Sequence, residues 1–509
     1  MILGDSNHAG GNRTTLDDLF RRAGVRHPDA IALVDPPNRD SITGGAPRRL
    51  TFSQADRAIS AFAARLRELG LQTDAAVALQ LANTVDSVIA LLGVLRAGMI
   101  AVPLPLLWRQ QDMVEALGRI GAKAIITSGR IGATAHGEIA MQTAVELFPI
   151  RYVCGFGRDL PDGVVPLDDV FAQAQADFGA PGSRPGNPAA HVAVITFDTG
   201  ADGFLPVARN HMELIAAGLS VFLESGMAPD AAILSTIPLS SFAGLSLSLM
   251  PWLLGGGTLH LHHGFAADTF AAQCRTLDSG TVVLPGPALD PLAETGTLGP
   301  AQTIIALWRA PERLASSAPW QGEAALVDAA GFGETGLLAA KREADGMPAS
   351  IPCGMIANPR GDTDAVTVAE TMRTKAGTLA LRGPMVPAQA FPPGAERGHE
   401  PHLTADDAGF VDTGFMCRLD RATQTLTISG PPGGLTTIGG YHFRQNAIDA
   451  LIAGTDPAAT IVALPDATLG QRLAGSAPDR DLVQADLQTR GVNPLIAGAF
   501  RLRGRVDTA

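Results

Sequence analysis

Apolar positions along the first 130 residues switch repeatedly between helical and strand-like spacing. In 14–35 (TTLDDLFRRAGVRHPDAIALVD), Leu16, Leu19 and Phe20 share one face behind a capping Thr15, which predicts an amphipathic helix followed by a strand. Residues 51–70 repeat the form: Thr51 or Ser53 caps, and Ala58, Phe62, Leu66 and Leu69 mark the apolar side. The unbroken apolar run 76–81 predicts a strand buried on both faces. A helix over 86–97 is stopped by Gly98. Then come a strand over 100–105, a helix over 115–121 and a strand over 124–127. Helices alternating with apolar strands predict an α/β fold around a parallel sheet covered on both sides.

The pattern changes further along. Residues 176–190 (ADFGAPGSRPGNPAA) read as a linker, 192–197 as a strand and 198–203 as a turn-rich loop, with a helix opening near His211. A second α/β unit runs to about residue 340. Residues 376–430 shift to short strands and turns, and Pro431-Pro432-Gly433-Gly434 reads as a hinge. The remaining 435–509 form a small α/β piece. The uncharged stretch 231–259 is long enough to span a bilayer. However, it contains Pro238, Pro251, several serines and Gly255-Gly256-Gly257, so it reads as a buried strand, a turn and a buried helix, and no transmembrane span is expected. The first fifteen residues lack a basic segment followed by an apolar one, and no signal peptide is expected.

Composition narrows the function. With 509 residues the chain has room for about three domains. Thirty-eight basic against fifty acidic residues, a net charge of −12, argue against nucleic acid as a partner. Four scattered cysteines with no CxxC pair suggest neither zinc nor a disulfide framework and fit a reducing, cytoplasmic setting. Only three lysines occur, Lys123, Lys341 and Lys375. No lysine ammonium is therefore available after residue 375.

Five segments, in order, resemble the AMP-forming acyl-CoA synthetases of the adenylate-forming superfamily. They are LTFSQADR (50–57), GVLRAGMIAVPLP (93–105), AGTLALRGPMV (376–386), AGFVDTGFMCRLD (408–420) and IGGYHFRQNAID (438–449). The resemblance implies a large N-terminal region, 1–430, of stacked α/β subdomains with a β-rich part at about 376–430. It also implies an abbreviated α/β lid domain, 431–509. The implied chemistry is attack of a carboxylate on the α-phosphate of ATP, with Mg²⁺, and then thioester formation with coenzyme A.

The segments that would carry this chemistry depart from the family's pattern. Its phosphate loop reads like TSGTTG-x-PKG; here Asp198-Thr199-Gly200-Ala201-Asp202-Gly203-Phe204-Leu205-Pro206-Val207 keeps Thr199, Gly200 and Gly203, loses the lysine and gains two aspartates. Carboxylates beside a triphosphate repel it, so the segment is either an altered phosphate site or a plain surface loop. Gly331-Phe332-Gly333-Glu334-Thr335-Gly336 is similar to YG-x-TE-x-G. By that resemblance Glu334 would hold Mg²⁺ and Phe332 would stack on adenine if the loop were one residue shorter; alternatively Glu334 caps or pairs at a turn. In Thr413-Gly414-Phe415 a phenyl ring replaces the ribose-binding carboxylate, and Asp412 lies three positions away. The family's hinge arginine and its final lysine are absent, the closest basic residues being Arg501, Arg503 and Arg505.

Three further readings are weaker. His260 and His262 share a strand face, but no third metal ligand is indicated, so His260, His262 and His263 are expected at the surface. His211 is expected at a helix N-terminus. The family's pocket histidine is Ser241 here. The expectation is an acyl-CoA synthetase-like protein whose adenylation is weak or lost. The alternative is a non-catalytic protein that binds a carboxylate, acyl group or acyl-CoA and acts with a partner enzyme.

Overall fold

The computed structural model describes residues 13–172, 186–277, 280–360, 364–387, 389–399, 402–466 and 469–501; most of the expected linker lies outside them. The N-terminal region is built on two large, mostly parallel sheets. One has seven strands, in the spatial order Val165–Pro166, Tyr152–Phe156, Ala124–Ser128, Ala76–Leu79, Ile100–Pro103, Val192–Gly200 and Gly203–Asn210. The other has eight strands, from Gly336–Lys341 through Ala325–Phe332, Thr303–Trp308, Thr281–Pro285, Ile233–Ser235, Leu259–Leu261 and Ile31–Val34 to Arg49–Thr51. The last strand of the first sheet and both edge strands of the second are antiparallel to their neighbours.

The predicted helices form where capping chemistry starts them. The Thr15 hydroxyl accepts from the Asp18 N–H at 3.1 Å, and the Asp18 carboxylate accepts from the Thr15 N–H at 2.9 Å. Thr51 and Gln54 repeat this reciprocal cap at the start of Phe52–Glu68, which satisfies donors that a helix start otherwise leaves open. Helix Val85–Arg96 is buried on all sides and so carries little sidedness.

The apolar stretch 231–259 becomes strand Ile233–Ser235 and three short helical pieces, Phe242–Gly244, Leu245–Leu249 and Met250–Gly255. All are enclosed by protein. The middle piece is a wide turn with Met250 N–H bonded to the Leu245 carbonyl, next to Pro251, which lacks an N–H to donate. Among the described residues no helix is long and apolar enough to cross a membrane.

A six-stranded antiparallel sheet follows. It uses the expected strands Thr378–Arg382, Val411–Asp420 and Thr425–Gly430, and also takes in Ile351–Pro352, Gly354–Arg360 and Asp364–Arg373 upstream of them. After Pro431-Pro432 the small domain consists of hairpins Leu435–Ile438/Tyr441–Arg444 and Thr460–Asp466/Gly470–Ser476, packed with helices Gln445–Thr455 and Arg480–Thr489. Its own core holds Ile448, Ile452, Leu473, Leu487 and Phe500.

Candidate functional site

Residues 198–203 are not a loop. Strands Val192–Gly200 and Gly203–Asn210 pair down to Gly200 opposite Gly203, leaving only Ala201-Asp202 as the turn. Two strand-forming runs separated by a Gly-Ala-Asp-Gly step are a hairpin signal. Gly203 has φ of +128°, and a Cβ there would run into Glu115 and Arg119.

Nor is this segment plain surface. The Asp198 side chain is 18% exposed. Its carboxylate accepts the Thr199 N–H at 2.8 Å and the Glu334 N–H at 2.8 Å, and faces His442 Nδ1 at 3.7 Å. Burial alone would raise its pKa. The hydrogen bond and charge of His442, with the two backbone donors, outweigh that and hold it below the ordinary carboxylate value. Asp198 is thus a fixed internal anion.

Glu334 lies beside it. Its Oε2 accepts the Phe242 N–H at 2.7 Å, and its carbonyl accepts from Arg209. Burial, with the Asp198 charge adding to it, pushes the carboxyl up to about 7 against the pull of the Phe242 N–H, Arg309 and Arg209. Arg209 is itself buried, with its guanidinium 3.7 Å from the Phe242 ring centroid. Its Nη2 also holds the Thr335 carbonyl at 2.9 Å.

The remaining expected residues are used internally. Phe332 is fully buried, edge-on to Phe415 at 5.6 Å between centroids. It ends a strand with its ring on the core side and presents no face for stacking. Phe415 in turn lies 5.6 Å from the His442 ring. The Thr413 hydroxyl donates to the Leu379 carbonyl at 2.7 Å. Asp412 accepts from the Thr378 hydroxyl at 2.9 Å and from the Gly414 N–H at 2.8 Å.

The small domain sits directly on this hairpin. Thr199 Oγ1 donates to the His442 carbonyl at 3.1 Å, and Arg444 pairs with Glu115 at 3.2 Å. Between the two domains lies a cavity of about 280 Å³ bordered by Asp198, Thr199, Ser241, Glu334 and His442. A second, mainly apolar cavity of about 700 Å³ lies on the other side of Arg309, Gly440 and Tyr441, which border both. Sequence reasoning missed Arg309, His442, Arg209 and Arg444. Each matters only through a neighbour distant in the chain, and Arg309 follows a buried strand with nothing local to mark it.

The three histidines are not at the surface, because strand Leu259–Leu261 is an inner strand of the eight-stranded sheet. His262 is buried with Nδ1 2.7 Å from Gln273 Oε1, and His263 Nδ1 accepts the Asn83 N–H at 3.3 Å. Burial lowers His260 and His263 to about 4, so both stay neutral. His211 opens helix His211–Ser225 and accepts the Leu16 N–H at 3.2 Å. Arg501 is exposed; Arg503 and Arg505 lie outside the described residues. Among the described residues no three His, Cys, Asp or Glu side chains are grouped to hold a metal ion.

Residues 20–357 match the family model described as AMP-binding enzyme. Long-chain fatty acid transport protein 1 of Bos taurus is 26% identical over 269 residues, 52% of this chain and 39% of that protein. A salicyl-AMP ligase / salicyl-S-ArCP synthetase of Mycobacterium tuberculosis is 27% identical over 259 residues, 50% of this chain and 43% of that protein. This chain thus spans less than half the length of these curated relatives. Among solved structures, the amide bond synthetase McbA from Marinactinospora thermotolerans superposes with a TM-score of 0.69 at 17% identity, covering 95% of this chain and 94% of that one. MatB from Rhodopseudomonas palustris, solved with ATP bound, superposes at 0.61 and 18% identity, covering 94% and 92%. At these identities the structures show a shared fold, and the family match carries the assignment: the chain belongs to the AMP-binding enzyme family.

Proposed function

We propose that the chain is an acyl-CoA synthetase-like protein that binds a carboxylate or acyl ligand and in which adenylation is weak or lost. The observation that carries this is Asp198. By the resemblance it stands in the phosphate segment, and its carboxylate already takes the Thr199 and Glu334 N–H groups beside His442. Donors of this kind are what a phosphate would need, and a second anion there meets the charge of the first. These residues do not fit a triphosphate. Glu334 is the carboxylate that the resemblance offers to Mg²⁺, and its Oε2 is already engaged by the Phe242 N–H in a buried setting that raises its pKa. No reaction step is therefore routed through either group.

What the fold keeps is apolar space under a small domain. A ligand-binding protein that works with an enzyme supplying or consuming the acyl group fits that space, and the four free cysteines support a cytoplasmic setting. The test is calorimetric titration of Mg·ATP, with AMP and coenzyme A titrated separately. The expected result is no heat up to millimolar ATP, and a gain of pyrophosphate binding in Asp198→Ser, which frees the donors. Micromolar ATP binding by the unaltered protein, or ATP–pyrophosphate exchange with a carboxylic acid at an ordinary enzymatic rate, overturns the reading.

A further inference from the structure

One carboxylate ties three parts of the molecule together. Glu115 lies on helix Gln110–Ile120, and its Oε1 accepts the Phe204 N–H at 3.1 Å near the start of the hairpin's second strand. Arg444 of the small domain reaches the same carboxylate through Nη2, 3.2 Å from Oε2 and 3.4 Å from Oε1. Arg119, one turn further along the helix, stands 3.5 Å from Oε1, and its Nη2 also donates to the Asp202 carbonyl of the hairpin turn at 3.3 Å. Gly203 makes room for this group, because a Cβ there would lie 2.4 Å from both Glu115 Oε1 and Arg119 Nη2. The hairpin tip thus seats a carboxylate of its own chain and, through it, the small domain.

The small domain also fits in one position. Three of its glycines lie against side chains of the large region. A Cβ at Gly440 would meet the Arg309 stem at 2.5–3.1 Å, one at Gly470 would stand 3.1 Å from Arg313 Nη1, and one at Gly491 would stand 3.5 Å from Gln110 Cβ. The Thr199 hydroxyl holds the His442 carbonyl at 3.1 Å. The connection between the domains is stiff, because a proline ring fixes its own backbone angle and Pro432 packs on Gly414, 3.1 Å from a Cβ built there. Contacts this close leave little room to slide, so the domain is either docked or lifted as a body. An exposed ion pair by itself contributes little. Glu115 and Arg444 are only 33% and 26% exposed, and the carboxylate takes two guanidinium groups and a backbone N–H, which makes the contact stronger than an isolated surface pair.

We propose that Glu115 is a latch that holds the small domain docked on the hairpin, and that the domain lifts when the Arg444 contact is released. The small domain is then a latched cover over both cavities, and its opening responds to ionic strength, since salt at about 1 M shortens the reach of exposed charges to about 3 Å. Gly203 serves this latch, because any side chain there displaces the Glu115 carboxylate. Latching acts on the cover and not on any ligand, so it stands or fails independently of the binding and adenylation reading.

His442 reports the opening. Its side chain is 6% exposed at the domain boundary, whereas that of His27, at the end of helix Leu16–Arg26, is 46% exposed. The full chain is treated with diethyl pyrocarbonate, and modification of both histidines is followed by peptide mass spectrometry. The rate at His442 tracks the lifted population, and His27 is the internal control. Glu115→Gln and Arg444→Gln should each speed His442 modification about threefold or more and leave His27 unchanged. The double variant should go no faster than the faster single one, because both changes remove the same contact. Sodium chloride at about 1 M should speed His442 in the unaltered protein, and by less in Glu115→Gln. Arg490→Gln, which removes an ion pair inside the small domain, should change neither rate. A thermal melt close to that of the unaltered protein shows that each variant is folded; where one melts early, the salt series on the unaltered protein decides. An unchanged His442 rate in Glu115→Gln, effects that add in the double variant, no response to salt, or equal acceleration at His27 each overturns the latch.

Discussion

Glu334 makes the protein less stable as pH rises from about 4.5 to about 7, and Glu334→Gln should remove that loss. In the unfolded chain its carboxyl releases its proton near the ordinary value of 4.5, whereas in the fold burial holds the proton up to about 7. Below about pH 4.5 both states are protonated and the group contributes nothing. Between the two values the native state holds more protons than the unfolded one, so unfolding free energy falls with pH. Above about 7 both are ionised and the full cost remains. At 1.36 kcal/mol per pH unit that cost is roughly 3 kcal/mol, of the order reported for burying an imperfectly paired charge. Glutamine keeps an acceptor for the Phe242 N–H and carries no charge. Urea unfolding at about pH 5 and about pH 8.5 measures this. The variant should match the unaltered protein within about 1 kcal/mol at the acid end and exceed it by roughly 2–3 kcal/mol at the alkaline end. Asp86 and other titrating groups away from Glu334 are common to both proteins and cancel in the difference. A stability difference that does not change with pH would refute the reasoning.

Two further outcomes follow from the interface between the domains. His442→Gln leaves the buried Asp198 carboxylate with its backbone donors but without the imidazole it faces, so the small domain should lift more often; protease cleavage at 431–434 should accelerate several-fold, and an unchanged rate would count against the Asp198–His442 contact as a clamp. Trp308→Phe removes the indole N–H from Asp328, which keeps its Arg342 partner, and should lower stability by about 1–3 kcal/mol in denaturant melts.

Much of the scaffold was legible because local rules and tertiary demands agree. Thr15 caps the helix it was expected to cap, Thr51 rather than the other candidate Ser53 caps the second, and the runs 76–81 and 100–105 had to be inner strands because both faces are apolar. The order of five weak segments was enough to point to the family. Local patterning misled where a short polar strand looks like a loop. Thr199 and Gly203 suggested a glycine-rich loop, yet pairing to Gly200 consumes the loop and leaves a two-residue turn. The histidines of 260–263 looked exposed because nothing nearby covers them; helix Ala267–Arg275 and the loop at Asn83 do so in the fold.

The departures from the family's pattern were readable from residue identity alone, since the three lysines are Lys123, Lys341 and Lys375 and position 415 is a phenylalanine. Their surroundings were decided only in three dimensions. Asp198, His442 and Glu334 are separated by more than a hundred residues from one another, and so are Arg309, Gly440 and Ser241 in part. Charge, hydrogen bonding and burial act over a few ångströms, and a sequence does not state which distant residues will be that close. The sequence determines which residue types stand at each position, and the packing of the small domain against the hairpin determines which of them are paired and which are buried.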